Sequence, residues 1–158
     1  MKKTILITLI PFLFVACGTK NNAFRYFDKE ETEINAIRNT KKIDIVKKNE
    51  VDVILMATYL NKIDSDISSK DEKFLIYTFF ANLEEQDFRK NSYELLLNGK
   101  SAKQIESVDK SSKRYKDIML KNSWGNYYIV TFDNPQKVKD LKIVLRPKSN
   151  DAVLNFEK

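Results

Sequence analysis

The sequence predicts a mainly β protein built around one antiparallel sandwich or small barrel. Three observations predict it. From residue 41 onward, short apolar runs alternate with polar turns rich in Asn, Asp and Ser. The long amphipathic helices that parallel crossovers require are missing. Asn98-Gly99 joins two such runs, and this pair favours a two-residue hairpin because both residues tolerate positive φ.

The elements follow in order. Ala23–Phe27 is aromatic and could be a strand. Asp28 with Glu31 has capping-box spacing, and Ile34 and Ile37 share one helical face, so the spacing predicts a short helix over 28–38. Strands are predicted over Lys42–Lys47 and Val51–Leu60, with a polar turn between them. A loop at 61–72 precedes the run Phe74–Phe80. Ser92–Leu97 and Lys100 to about Val108 form the Asn-Gly hairpin. In 109–121, Tyr115, Ile118 and Met119 fall at helical spacing, with Ser111 or Ser112 as N-cap, which predicts one helical turn or short helix. Tyr127–Phe132, Lys139–Arg146 and Ala152–Phe156 complete the set. About seven strands with one or two short helices fit a single domain. Edge strands such as 152–156 could pair with a second copy.

Composition excludes much chemistry. The 158 residues contain no His, which removes His triads, His metal sites and His bases. The single Cys removes disulfide, CxxC and zinc-pair chemistry within the chain. Three separated glycines, Gly18, Gly99 and Gly125, cannot build a phosphate loop. Asp64-Ser65-Asp66 alternates as calcium loops do but lacks their Gly and closing Glu, so it reads as a solvated loop. Ser68-Ser69-Lys70 and Ser111-Ser112-Lys113 are not SxxK motifs. The expectation is a protein without catalysis, metal or bound cofactor.

The N-terminus reads as an address. Met1-Lys2-Lys3 is a basic start, and Thr4–Ala16 is uncharged and too short to span a bilayer. The stretch ends in Phe14-Val15-Ala16-Cys17, which resembles the lipobox of bacterial lipoproteins, with Phe14 in place of the usual Leu. The resemblance implies cleavage before Cys17, a diacylglyceryl group on its thiol and an acyl chain (palmitate or similar) on its amine. Two or three chains anchor a protein stably. Residues 1–16 are then a signal peptide, 17–22 a lipidated Cys and tether, and 23–158 the folded domain. Gly18 after the Cys resembles lipoproteins sorted to the outer membrane. Loss of Lys2 and Lys3 lowers the charge from +6 to +4, with 26 basic residues scattered among 22 acids, which argues against a nucleic-acid partner.

Trp124-Gly125-Asn126-Tyr127-Tyr128-Ile129 resembles the start of strand F in immunoglobulin-like domains, with Tyr127 at the inward Tyr position and Ile129 at that of the second Cys. Taken whole, the chain resembles small bacterial lipoproteins that carry one immunoglobulin-like β-sandwich. That implies a mainly β, antiparallel immunoglobulin-like fold in the cell envelope.

Several strands are apolar on both faces. Phe74, Ile76 and Phe80 lie on one side of their strand, and Leu75, Tyr77 and Phe79 on the other. Residues 51–60 and 127–132 repeat the theme. A sandwich strand needs only one apolar face. Either residues 23–38 and 109–121 cover the second face, or it is a surface for another envelope protein, with Tyr77, Phe79, Tyr128 and Phe132 as candidate anchors. The expected role is an accessory or protein-interaction module tied to the membrane. The alternative is a lipoprotein that binds a small ligand, an acyl chain or a glycan.

Overall fold

The computed structural model describes residues 31–64, 67, 70–119, 122–134, 138–146 and 151–158. The expected signal, Cys17, the tether and the strand at 23–27 lie outside them, as do Ser65, Asp66, Ser68 and Ser69. One helix, α1 (Glu31–Arg38), precedes nine strands: β1 (Thr40–Lys47), β2 (Glu50–Tyr59), β3 (Asp71–Phe80), β4 (Glu94–Leu97), β5 (Lys100–Ser101), β6 (Gln104–Val108), β7 (Asn126–Asp133), β8 (Asp140–Arg146) and β9 (Ala152–Glu157). They form two antiparallel sheets, β1-β2-β3-β7-β6 and β5-β4-β8-β9. The mainly β antiparallel expectation holds.

The space between the sheets is filled from both sides. Leu55, Phe74, Ile76, Phe80, Tyr128 and Phe132 of the larger sheet meet Leu95, Leu141, Ile143, Leu145 and Phe156 of the smaller. Rings interlock: Phe74 stacks on Tyr59 at 5.0 Å and meets Phe156 edge-on at 5.3 Å. Each fully buried side chain of this kind contributes about 1.5–3 kcal/mol. At one edge β1 lies against β9. At the other, the chain itself passes from one sheet to the next.

That passage corrects the strand expected over 100–108. Asn98 and Gly99 do turn with positive φ, 50° and 79°. The returning strand, however, pairs with β4 only through Lys100 and Ser101. The Lys103 amide then donates to the Thr131 carbonyl at 2.8 Å, and β6 continues along β7 in the other sheet. The Lys103 ammonium reinforces the crossing, 3.2 Å from Asp71 and 3.7 Å from Asp133.

The strand expected from Phe74 begins earlier, at Asp71. Tertiary partners make its polar start extended. The Asn61 side chain donates to the Asp71 carbonyl and accepts from the Lys73 amide, both at 2.8 Å. Glu72 points inward and is 1% exposed. Its two oxygens accept from the Tyr59 hydroxyl at 2.6 Å and the Lys158 ammonium at 2.7 Å. A buried carboxylate is tolerable only with such partners.

The other end of the sandwich is closed by residues 81–93. The Gln86 side chain accepts from the Phe80 amide and donates to the Phe80 carbonyl, both at 2.9 Å, so it acts as a short strand partner. Phe88 is buried edge-on against Tyr128. Asp87 receives Nε and Nη2 of Arg89, the shortest contact being 2.6 Å. Arg89 in turn covers the Tyr128 ring.

Two helical expectations change. Ile34 and Ile37 do not face the core: they are 38% and 54% exposed, and Ala36 is the buried residue. The C-terminal turn sets the helix orientation. The Thr40 hydroxyl donates to the Ala36 carbonyl at 2.7 Å and lies 2.6 Å from the Thr58 hydroxyl, which clamps α1 to β1 and β2. Residues 109–119 form successive turns instead of a helix. Asp109, not Ser111 or Ser112, caps the first turn, its carboxylate accepting from the Ser111 amide at 2.7 Å.

Thr78 is fully buried and its hydroxyl has no hydrogen-bond partner among the described residues. Thr78→Val keeps the shape and removes the unmet polar group, so urea unfolding should show a gain of about 1 kcal/mol. Hydrogen bonds from Arg89 hold the Asp87 carboxyl below the usual carboxylate range. A lowered pKa favours the ionised native form, so this contribution is full above the unfolded value near 3.9 and fades as pH falls through the native one. Asp87→Asn should therefore lower stability at pH 7, and its stability should fall less than wild type as the pH drops below about 4. Unfolding midpoints across pH measure the difference.

Candidate functional site

The two-sided apolarity of the larger sheet produces a second hydrophobic cluster on its outer face. Leu75, Tyr77, Tyr127 and Ile129 lie there with Leu60 and Met119. Residues 60–64, 67 and 108–119 cover most of it through Ile63, Ile67, Val108, Tyr115 and Ile118. Met119 is held by its amide donating to the Tyr115 carbonyl at 3.0 Å. The covering segment expected at 109–121 is therefore in place over residues 109–119, although it is not helical.

The four candidate anchors separate. Antiparallel register puts Tyr77 opposite Tyr127, so Tyr128 and Phe132 belong to the opposite face of the sheet. Tyr128 and Phe132, each 1% exposed, sit between the sheets and are core residues. Tyr77 is 4% exposed, its ring 4.9 Å from Tyr127. Burial pushes its hydroxyl pKa up, although the Asn122 side chain accepts from it at 3.4 Å. Of the four, Phe79 alone stays partly open. The same register turns Tyr127 and Ile129 outward, opposite to the inward places that the strand F resemblance implied.

The covering runs out at one end. Phe79 contacts the ring of Trp124, with centroids 6.3 Å apart, and Trp124 is 69% exposed. Ile54 is the cross-strand partner of Phe79 and is half-buried. Together they form an apolar, aromatic surface where the outer cluster meets solvent. Trp124 was not among the anchors read from the sequence. Its position depends on the tertiary contact made at Gly125, which no local pattern announces.

That contact is tight. A Cβ at Gly125 would stand 2.3 Å from the Thr78 carbonyl oxygen and 2.6 Å from the Tyr77 ring. The glycine lets the chain pass across β3 and places Trp124 over Phe79. Asn122 supports the bend, its side-chain oxygen accepting from the Trp124 amide at 3.2 Å.

Two grooves flank α1 on the same outer face. One, of about 350 Å³, is lined by Ala36, Ile37, Met56, Ile118 and Met119 among others. The other, of about 230 Å³, lies between Thr32, Leu60, Ile63, Arg114 and Tyr115. A third cleft, of about 610 Å³, opens past the C-terminal end of α1, away from Trp124, beside Arg38, Lys41, Lys62, Asp140 and Glu157. Its two acids are cross-strand partners. Both are exposed, whereas a carboxyl acting as general acid near neutral pH is usually desolvated. Among the described residues no group of three or more acids or thiols could hold a metal ion, and no helix is long and apolar enough to cross a membrane.

Gly125→Ala should cost about 1–3 kcal/mol, because the new methyl meets backbone and a packed ring. Its Trp124 emission should shift toward that of a fully solvated indole, and a denaturant titration with fluorescence reads both effects. Compared with known proteins, the chain matches no family model, no curated protein and no solved structure at a significant level.

Proposed function

We propose that this chain is a lipid-anchored protein of the bacterial cell envelope that acts by contact with another envelope protein. The address comes from the sequence: the basic start, the uncharged run Thr4–Ala16 and the lipobox-like Phe14–Cys17. Gly18 favours the outer membrane as the destination. In this reading Cys17 carries the diacylglyceryl and acyl chains, and the domain works beside the bilayer without catalysis.

One observation carries the contact reading. Trp124 and Phe79 expose a joined aromatic surface, and Trp is the residue most favoured at the energetic centre of interfaces. A lone exposed apolar side chain needs no explanation. Here the exposed ring continues an organised cluster and is held in place by Gly125 and Asn122. Of the two ligands in the alternative reading, an acyl chain or a glycan, the acyl chain needs an enclosed apolar space. The inter-sheet region is instead filled by Tyr59, Phe74, Phe80, Phe88, Tyr128, Phe132 and Phe156.

The test is crosslinking in intact cells followed by mass spectrometry, for wild type, Trp124→Ala and Tyr77→Ala. Trp124→Ala should change stability by less than about 1 kcal/mol, since the ring is mostly solvated, yet abolish the dominant crosslink. Tyr77→Ala should cost about 3–5 kcal/mol and reduce the amount of folded chain. An unchanged crosslinking pattern in Trp124→Ala would overturn the contact reading. A mature N-terminus with an unmodified Cys17 would overturn the anchor.

A further inference from the structure

The cleft at the far end of the strands is independent of the aromatic surface. On β2, Ile54 lies beside the aromatic surface and Tyr59 is the last residue toward the cleft, five residues or about 17 Å further along. The walls of this cleft carry opposite charge, and the charge follows the sheets. Arg38 at the end of α1, Lys41 on β1 and Lys62 after β2 stand on the side of the larger sheet. Asp140 on β8 and Glu157 on β9 stand on the side of the smaller.

Some cations of the surface are paired and others are not. Lys42, Arg89, Lys103, Arg114 and Arg146 all form ion pairs. Among the described residues Arg38, Lys41 and Lys62 form none. Lys41 instead rests over the buried Phe156 ring, 5.4 Å from its centroid, which holds the ammonium at the cleft wall. Across the cleft, Asp140 and Glu157 are direct cross-strand partners, an arrangement in which like charges repel. The Asn155 amide lines the same space. The end of α1 adds little opposing field, because the Asn35 and Ala36 carbonyls already accept from Asn39 and Thr40.

A ligand suited to both walls is itself dipolar. Three cationic residues lining one cleft exceed what one carboxylate needs, and they match a phosphate with its several acceptor oxygens. The paired carboxylates match an ammonium group, which would also relieve their mutual repulsion. The volume, about 610 Å³, is in the range of small-molecule sites. We propose that this cleft binds a small zwitterion bearing a phosphate and an ammonium, the chemistry of a phosphoethanolamine headgroup. The phosphate lies against Arg38, Lys41 and Lys62, and the ammonium against Asp140 and Glu157.

Calorimetric titration of the full chain, in detergent free of phosphate and phospholipid, tests this with three probes. They are O-phosphoethanolamine, inorganic phosphate and dihexanoyl phosphatidylethanolamine. At least one of the two zwitterions should bind about tenfold tighter than phosphate. Arg38→Gln and Lys62→Gln, both on the open wall, should each weaken that binding about tenfold without moving the Tm. The double variant Asp140→Asn with Glu157→Gln should bind phosphate at least as well as wild type and lose the preference for the zwitterion. Binding of O-phosphoethanolamine identifies a free ligand, and binding of the diester alone identifies a membrane headgroup; each supports the site. Zwitterions no tighter than phosphate, or cation variants that bind as wild type does, would overturn it.

Discussion

The structure depends on one constraint: the larger sheet is apolar on both faces, and both must be kept from water. In β3, Phe74, Ile76 and Phe80 require a partner on one side, and Leu75 and Tyr77 require one on the other. The smaller sheet satisfies the first requirement. No further sheet is left for the second, so short turns at 60–64, with Ile67, and at 108–119 lie over the outer face. Each buried ring or branched side chain contributes enough to hold turns that have little propensity of their own.

The same constraint creates the exposed surface. A covering built of turns follows the sheet only as far as its few apolar side chains reach. It ends at Gly125, where the chain must pass within contact distance of Thr78 and Tyr77. Beyond that point Phe79 has only Trp124 above it, and Trp124 faces solvent. The aromatic surface is thus the boundary of a core, with its geometry fixed by the fold beneath. Pre-organisation of this kind lowers the entropic cost of association.

Polar groups finish the ends of the sandwich. Glu72 with Tyr59 and Lys158 closes one end, and Gln86 with the Asp87–Arg89 pair closes the other. Each replaces strand pairing or apolar packing where the sheets run out. Beside the first of these ends lies the two-signed cleft, whose charges are left for solvent or a ligand. The molecule therefore presents two surfaces of different character: an aromatic one made by the core's edge and a charged one made by the meeting of two sheets.

By itself the sequence determined the β architecture, most strand positions and the Asn98-Gly99 turn, because these follow from local periodicity and from the φ that each residue tolerates. It also showed that a second apolar face existed and that 109–121 could cover it. Tertiary structure decided which aromatics were core. Parity along one strand is legible in a sequence, but the register between strands is not, so Tyr128 and Phe132 could not be told apart from Tyr77 and Phe79 as anchors. The early start of β3 depends on Asn61, Tyr59 and Lys158, residues distant in sequence. The switch of sheet between β5 and β6 depends on Lys103 meeting Thr131, Asp71 and Asp133. The grouping of Arg38, Lys41 and Lys62 opposite Asp140 and Glu157 spans almost the whole described chain. Such convergence is set by packing, which no local pattern encodes.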